Sequence, residues 1–114
     1  MESVRQSKVA KLLQKELAEI FRANSKSLFN GGFITVTVVR VSPDLSSAKV
    51  YLSLMATQDT NALFKIINDQ KAHIRKLLGN QIGKQVRIIP EINFYIDDSY
   101  DYAEKINALF NKPI

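Results

Sequence analysis

The 114-residue chain contains no cysteine. That excludes a disulfide scaffold and thiolate chemistry, and it suits a cytoplasmic protein. No apolar run approaches the length needed to cross a bilayer, so no membrane partner is expected. The opening stretch MESVRQSKVAKLL is amphipathic from its first residues and reads as a helix rather than a secretory leader. Histidine occurs once, as His73, with Asp69 four residues before it. Such a pair on a helix is an ordinary surface contact more often than a catalytic dyad. The G-x-S-x-G, Walker A and HExxH patterns are all missing, so an enzyme is not indicated. Aromatic residues make up 9% of the chain, which leaves few rings to stack on bases.

What is present is enough for a core and too much positive charge to ignore. A hydrophobic content of 46% is ordinary for a globular protein, and the length suits one domain spanning residues 1–114. Net charge is +5 and unevenly spread: residues 1–90 carry 14 basic and 6 acidic side chains, residues 91–114 carry 2 and 5. A basic body with an acidic end favours a polyanionic partner, and nucleic acid is the commonest.

Val9, Leu12, Leu13, Leu17, Ile20 and Phe21 recur at helical spacing and predict a helix over about residues 4–23 capped by Ser3. NSKSLFNGG then stops it. FITVTVVRV and AKVYLSL alternate and predict an antiparallel hairpin around the turn SPDLS. In the first strand Ile34, Val36 and Val38 are expected on one face; in the second, Ala48, Val50, Leu52 and Leu54. DTNALFKIINDQKAHIRKLLG predicts a further helix, with Asp59 or Thr60 as N-cap and Gly79 as terminator. Its apolar stripe, Leu63, Ile67, Ile74 and Leu77, is interrupted by Gln70. A buried amide conflicts with that stripe, so a bend over residues 68–72 is expected, opening backbone groups the amide can bond. KQVRIIPEINFYI predicts a third strand, with Val86 and Ile88 on one face and an irregularity at Pro90. DDSYDYAEKINALFNKPI predicts a short closing helix capped by Asp98 or Ser99 and packed through Ile106, Leu109 and Phe110. The order is that of an α+β two-layer domain of the type II KH kind, α-β-β-α-kink-α-β with a short C-terminal helix.

The carboxylates of DDSYDYAE lack the glycine and closing glutamate of a calcium loop and suit a helix N-terminus without metal, so neither metal nor cofactor is expected. GNQIG is not the G-x-x-G loop with which KH domains grip single strands; helix cap plus turn explains it. The basic ridges remain. Lys71, Arg75 and Lys76 lie along one side of the second long helix, with Lys84 and Arg87 following. Arg5, Lys8, Lys11 and Lys15 form another ridge on the first helix. These nine are the candidate RNA contacts, with phosphate and shape expected to dominate over base reading.

VTVVRVSPDLSSAKVYLSL resembles the core hairpin of the ribosome-binding factor A family, with its V-S-x-D-L-x-x-A-x-V-Y pattern. HIRKLLG and VRIIPEINFYIDDS are similar to that family's I-R-x-L-L-G and R-x-x-P-x-L-x-F-x-x-D-x-S segments, and RQSKVAKLLQKELAEIF to its first helix. The resemblance covers residues 3 to about 110. It implies a KH-like bacterial assembly factor, not an enzyme, monomeric when free. Such a factor binds the immature 30S subunit and its 16S rRNA, assists late maturation and processing, and supports growth in the cold. Where the family has an alanine-x-glycine kink, this chain reads Gln70, Lys71, Ala72. A generic single-stranded RNA-binding KH module and a protein-interaction domain are the alternatives.

Overall fold

The computed structural model describes residues 3–29, 31–55 and 59–97. The closing helix expected after Asp97 lies outside them. Element order is α1 (Val4–Ala23), α2 (Ser25–Leu28), β1 (Phe33–Val41), β2 (Ser47–Met55), α3 (Thr60–Asp69), α4 (Lys71–Ile82) and β3 (Glu91–Ile96). The strands form one sheet in the order β1-β2-β3, with β1 antiparallel and β3 parallel to β2. The long helices cover one sheet face, giving the two-layer KH-like architecture.

Ser3 caps α1 as expected: its Oγ accepts the Gln6 amide at 3.1 Å while Gln6 Oε1 accepts the Ser3 N–H at 2.8 Å. This capping box satisfies two donors that the helix start would otherwise leave free. The Gln6 side chain also donates from Nε2 to the Val41 carbonyl at 2.9 Å, and Gln14 Nε2 donates to the Val36 carbonyl at 3.1 Å. Both carbonyls belong to β1, an edge strand, and an occupied edge resists pairing with a foreign strand. Below α1, Leu13, Leu17 and Phe21 share one core with Val50, Leu52 and Ile92, all essentially without solvent contact. Phe21 meets Phe29 at 5.4 Å and Phe94 at 5.9 Å between ring centroids, joining α1, the α2–β1 connection and β3.

The hairpin departs from strict alternation. Val36 pairs with Leu52 but Val38 with Tyr51, so Thr37 is an extra residue, a β-bulge. The bulge moves Val38 outward and sends Val39 and Val41 inward beside Ile34 and Val36. The expected placement of Val38 with Ile34 and Val36 is corrected accordingly. Thr37 is held there by side-chain bonding: its hydroxyl donates to Asp97 Oδ2 at 2.6 Å and lies 3.2 Å from the Tyr51 carbonyl.

The helical run after Asp59 does break at Gln70, where φ −93 and ψ 7 leave the helical basin. The Gln70 amide does not bond the exposed helix ends as expected. It makes no capping hydrogen bond and sits half-buried, reaching solvent instead. Ile67 and Ile74, on either side of the break, are both fully buried, and after it Leu78 rather than Leu77 takes the core position.

Gly79 does not end α4, which continues to Ile82 because that isoleucine is fully buried. The next residues wind onto the helix end, with Gln85 and Val86 N–H groups donating to the Ile82 carbonyl at 2.8 and 3.1 Å. Strand pairing is thereby postponed until after Pro90, which has no N–H for a ladder. The third strand is therefore shorter than expected, and Val86 and Ile88 belong to the connection.

The two glycines of α4 and its end differ in the space around them. A Cβ on Gly79 would make only an ordinary 3.7 Å contact with Ile89, whereas one on Gly83 would stand 2.6 Å from the Gly79 carbonyl oxygen. Gly79→Ala is expected to stabilise the fold by about 0.5–1 kcal/mol, because alanine loses less backbone freedom in a helix interior. Gly83→Ala is expected to destabilise it. Denaturant unfolding of the two variants reads both signs. A destabilising Gly79→Ala would mean that the helix does end where its first glycine stands.

Candidate RNA-binding surface

The break at Gln70 fixes which face of α4 is free. Ile74, Leu78 and Ile82 turn inward, leaving Lys71, Ala72, Arg75 and Lys76 on an exposed side. That side and the connection into β3 enclose an open groove lined by those four residues with Ile88, Ile89, Glu91 and Ile92. Arg75 builds the groove as well as charging it. Its Nη2 donates to the Ile89 carbonyl at 2.8 Å and its Nε to the Pro90 carbonyl at 3.3 Å. Pinned in this way, the connection stands as a ridge with Ile88 on its crest, 62% exposed.

A second groove lies across the ridge. Arg87 and Val86 face Arg5 and Val9 of α1 and the Pro43–Leu45 turn, and Ile88 lines this groove too. The turn is held by Asp44, whose Oδ1 accepts from Ser42 Oγ at 2.7 Å and from Ser46 Oγ and N–H at 2.7 and 3.1 Å. These bonds support Leu45 in the left-handed region at φ 62, a conformation costly for a bulky residue. They also hold the Asp44 carboxyl down to about 2, the Ser42 hydroxyl contributing most and Ser46 next.

The nine basic residues thus fall into separate groups. Lys71, Arg75 and Lys76 share one groove, and Arg5 and Arg87 share its neighbour across Ile88. Lys84 is exposed in the turn that ends α4. Lys8, Lys11 and Lys15 are exposed on the outer side of α1, and Lys15 lines a different groove, with Arg22 and Phe33 along the β1 edge. The ion pair present among the described residues is Arg22 with Glu19, so none of the nine has a carboxylate partner among them. Asp44 and Glu91 are the acidic residues lining the two grooves, and Asp44 is committed to its serines. No group of metal-ligating side chains occurs among the described residues. No helix among them is long and apolar enough to cross a membrane.

A sequence model of the ribosome-binding factor A family matches residues 5–110. The chain belongs to the ribosome-binding factor A family. Ribosome-binding factor A of Cytophaga hutchinsonii is 56% identical over 112 residues, 98% of this chain and 84% of that protein. That of Prosthecochloris aestuarii is 38% identical, covering 98% of this chain and 91% of its own length. The crystal structure of ribosome-binding factor A from Thermus thermophilus superposes with a TM-score of 0.65 at 21% identity, over 80% of this chain and 94% of that one. Coordinates of the Thermus thermophilus factor fitted into a cryo-electron-microscopy map of its complex with the 30S subunit superpose with a TM-score of 0.61 at 23% identity, over 78% and 91% of the two chains.

Two features of this family member escape a reading of the sequence. Ile88 lies in a run that looks like a buried strand, and only the bonds from Gln85 and Val86 back to Ile82 lift it out. Arg75 looks like one more solvated charge, and its carbonyl partners lie 14 and 15 residues away. Arg75→Ala is expected to lower stability by about 1–2 kcal/mol through those two bonds, and Lys76→Ala to leave it within about 0.5 kcal/mol. Thermal or denaturant unfolding separates the two side chains.

Asp44 has its own signature. Because its carboxyl titrates lower in the folded chain than the ordinary 3.8, its stabilisation is complete above that value and is lost as the pH falls through about 2. The melting temperature of Asp44→Asn is expected to lie below wild type at neutral pH and to converge with it as the pH approaches 2. A gap that persists unchanged to the lowest pH would remove the carboxylate from the account of this turn.

Proposed function

We propose that this chain binds the immature 30S ribosomal subunit and its 16S rRNA, and assists late maturation and processing of that RNA without catalysing a reaction or carrying a cofactor. It acts as a single KH-like domain over residues 1–114, a monomer when free, in the cytoplasm, with its strongest demand in the cold. The observation that carries this reading is the basic surface on the two sides of the Arg75-pinned ridge, without ion pairs among the described residues, in a member of a family named for ribosome binding. The likeness in fold to a factor fitted into a 30S complex supports it.

Phosphate is the natural occupant of this surface. Lys76, Lys84 and Arg87 are exposed and Lys71 is half-buried, none is in an ion pair among the described residues, and they come from helix, turn and ridge. Arg5 joins from α1, while Lys8, Lys11 and Lys15 extend the positive field around the outside of that helix. The one-residue break at Gln70 offers no glycine loop between α3 and α4 for clamping a single strand. This favours reading of RNA shape over the usual KH grip. Ile88, apolar and exposed between two basic grooves, fits against a ribose or a base face.

Binding to purified immature 30S subunits as a function of salt tests the assignment. Each phosphate neutralised contributes about 0.7–0.9 to the slope of log K against log salt. Replacing Lys71 and Lys76 together by alanine is expected to weaken binding and flatten that slope by the worth of those contacts, with unfolding unchanged. A variant that folds normally and keeps the wild-type slope would place the RNA elsewhere on the chain.

A further inference from the structure

The sheet face turned away from the helices carries a second constellation, made of residues the grooves do not use. Val38, Tyr51 and Tyr95 occupy one row across β1, β2 and β3, by the pairings Val38 with Tyr51 and Tyr51 with Tyr95. The two tyrosine rings are stacked, 5.4 Å between centroids and 28° between planes. Val38 is 38% and Tyr95 41% exposed, with Tyr51 half-buried between them, so the two ends of the row are open to solvent. The next row on this face, two residues along each strand and so about 7 Å away, is Arg40, Lys49 and Asn93, again directly paired.

Neither row is what folding alone demands. An outward sheet face is satisfied by threonines and mixed charges, whereas Arg40 stands directly opposite Lys49, a like-charged pair that weakens the sheet. Both are exposed, and neither has an acidic partner among the described residues. Among the described residues, the acidic ones on this face lie off the two rows: Glu91 pairs with Ser47, and Asp97 accepts from Thr37. An exposed cationic pair without a counter-ion among the described residues, beside an aromatic stack whose Tyr95 is exposed, matches an anion that also has a flat apolar face.

We propose that this sheet face binds unpaired RNA. One base extends the tyrosine stack over the open side of Tyr95, and Arg40 and Lys49 hold the neighbouring phosphates. β3 is the last strand of the sheet, so no described strand flanks Tyr95 on that side. The offset between the aromatic and basic rows suits a base and its own backbone. A duplex hides its base faces within the helix, and only an unpaired strand presents them to a ring. The inference deepens the reading of the chain as an rRNA-binding factor. It adds a strand-binding face to the ridge that meets RNA by shape, and rests on that reading for its biological setting.

The test uses the full chain, with octariboadenylate and a fully paired RNA duplex as probes. Lys49→Glu places a carboxylate opposite Arg40, so it is expected to raise the melting temperature while lowering octamer affinity by about tenfold or more at low salt. Tyr95→Leu keeps an apolar side chain at the position and is expected to lower octamer affinity by about ten- to a hundredfold, the worth of one stacked base. Duplex binding is expected to change much less in both variants. Because Lys49→Glu gains stability, its loss of binding is not a folding defect. Unchanged octamer affinity in the two folded variants would overturn the proposal. So would nuclear Overhauser contacts in the free protein showing both rings covered by residues 98–114. The Lys71→Ala, Lys76→Ala protein separates this proposal from the preceding one. Failure of the ridge leaves 30S binding intact in that protein, whereas failure of the sheet face leaves octamer binding intact in Lys49→Glu.

Discussion

An amide in the buried stripe of an amphipathic helix has to be satisfied or moved. Carrying Gln70 straight through between Ile67 and Ile74 would bury an unpartnered polar group at a cost of about 1–3 kcal/mol. The chain moves it. At Gln70 the backbone leaves the helical basin for a single residue, and Ile67 and Ile74 are both buried on different helices. Released from the axis of α3, α4 packs against α1 and β3, and α3 lies over β2. From that orientation the rest follows: Leu78 and Ile82 complete the core, Arg75 reaches the Ile89 and Pro90 carbonyls, and Lys71 and Lys76 face solvent beside the ridge.

The sheet depends on a constraint of the same kind. Strands β1 and β2 are nine residues each, but eight of each are partnered, because the bulge leaves Thr37 without a partner. It exchanges which valines meet the core. Asp97, at the far end of the chain's third strand, fixes the bulge by accepting from the Thr37 hydroxyl. The same bulge sends Val38 out to the row shared with the stacked tyrosines, so one irregularity serves the core and the outer face together. The edge strand that results is occupied by glutamine side chains from α1, which ties the first helix to the hairpin by hydrogen bonds as well as by packing.

What was legible in the sequence was local. The span of α1 and its Ser3 cap, the hairpin, and the conflict at Gln70 all follow from periodicity and capping chemistry within a turn or two. The bulge was not read from FITVTVVRV, although its alternation changes phase at Val38–Val39, and the partners of the Thr37 hydroxyl, Tyr51 and Asp97, lie far along the chain. Gly79 looked like a stop because Ile82, which draws the helix onward, shows its burial only in three dimensions. Among the site residues, the shared side of Lys71, Arg75 and Lys76 was visible from helical spacing. The meeting of Arg5 with Arg87, the exposure of Ile88, and the pairing of Tyr51 with Tyr95 were not, since each joins distant parts of the chain.

The absence of cysteine makes the central claim, that the ridge and α4 groove face RNA, open to one direct measurement. A single cysteine introduced as Lys76→Cys, Arg87→Cys or Lys11→Cys can carry a tethered iron chelate, and hydroxyl radicals then cut RNA near that position alone. With each protein bound to immature 30S subunits, the account predicts strong, localised 16S rRNA cleavage from positions 76 and 87 and weaker or diffuse cleavage from position 11. Cleavage confined to position 11, with positions 76 and 87 silent in proteins that still bind, would contradict it.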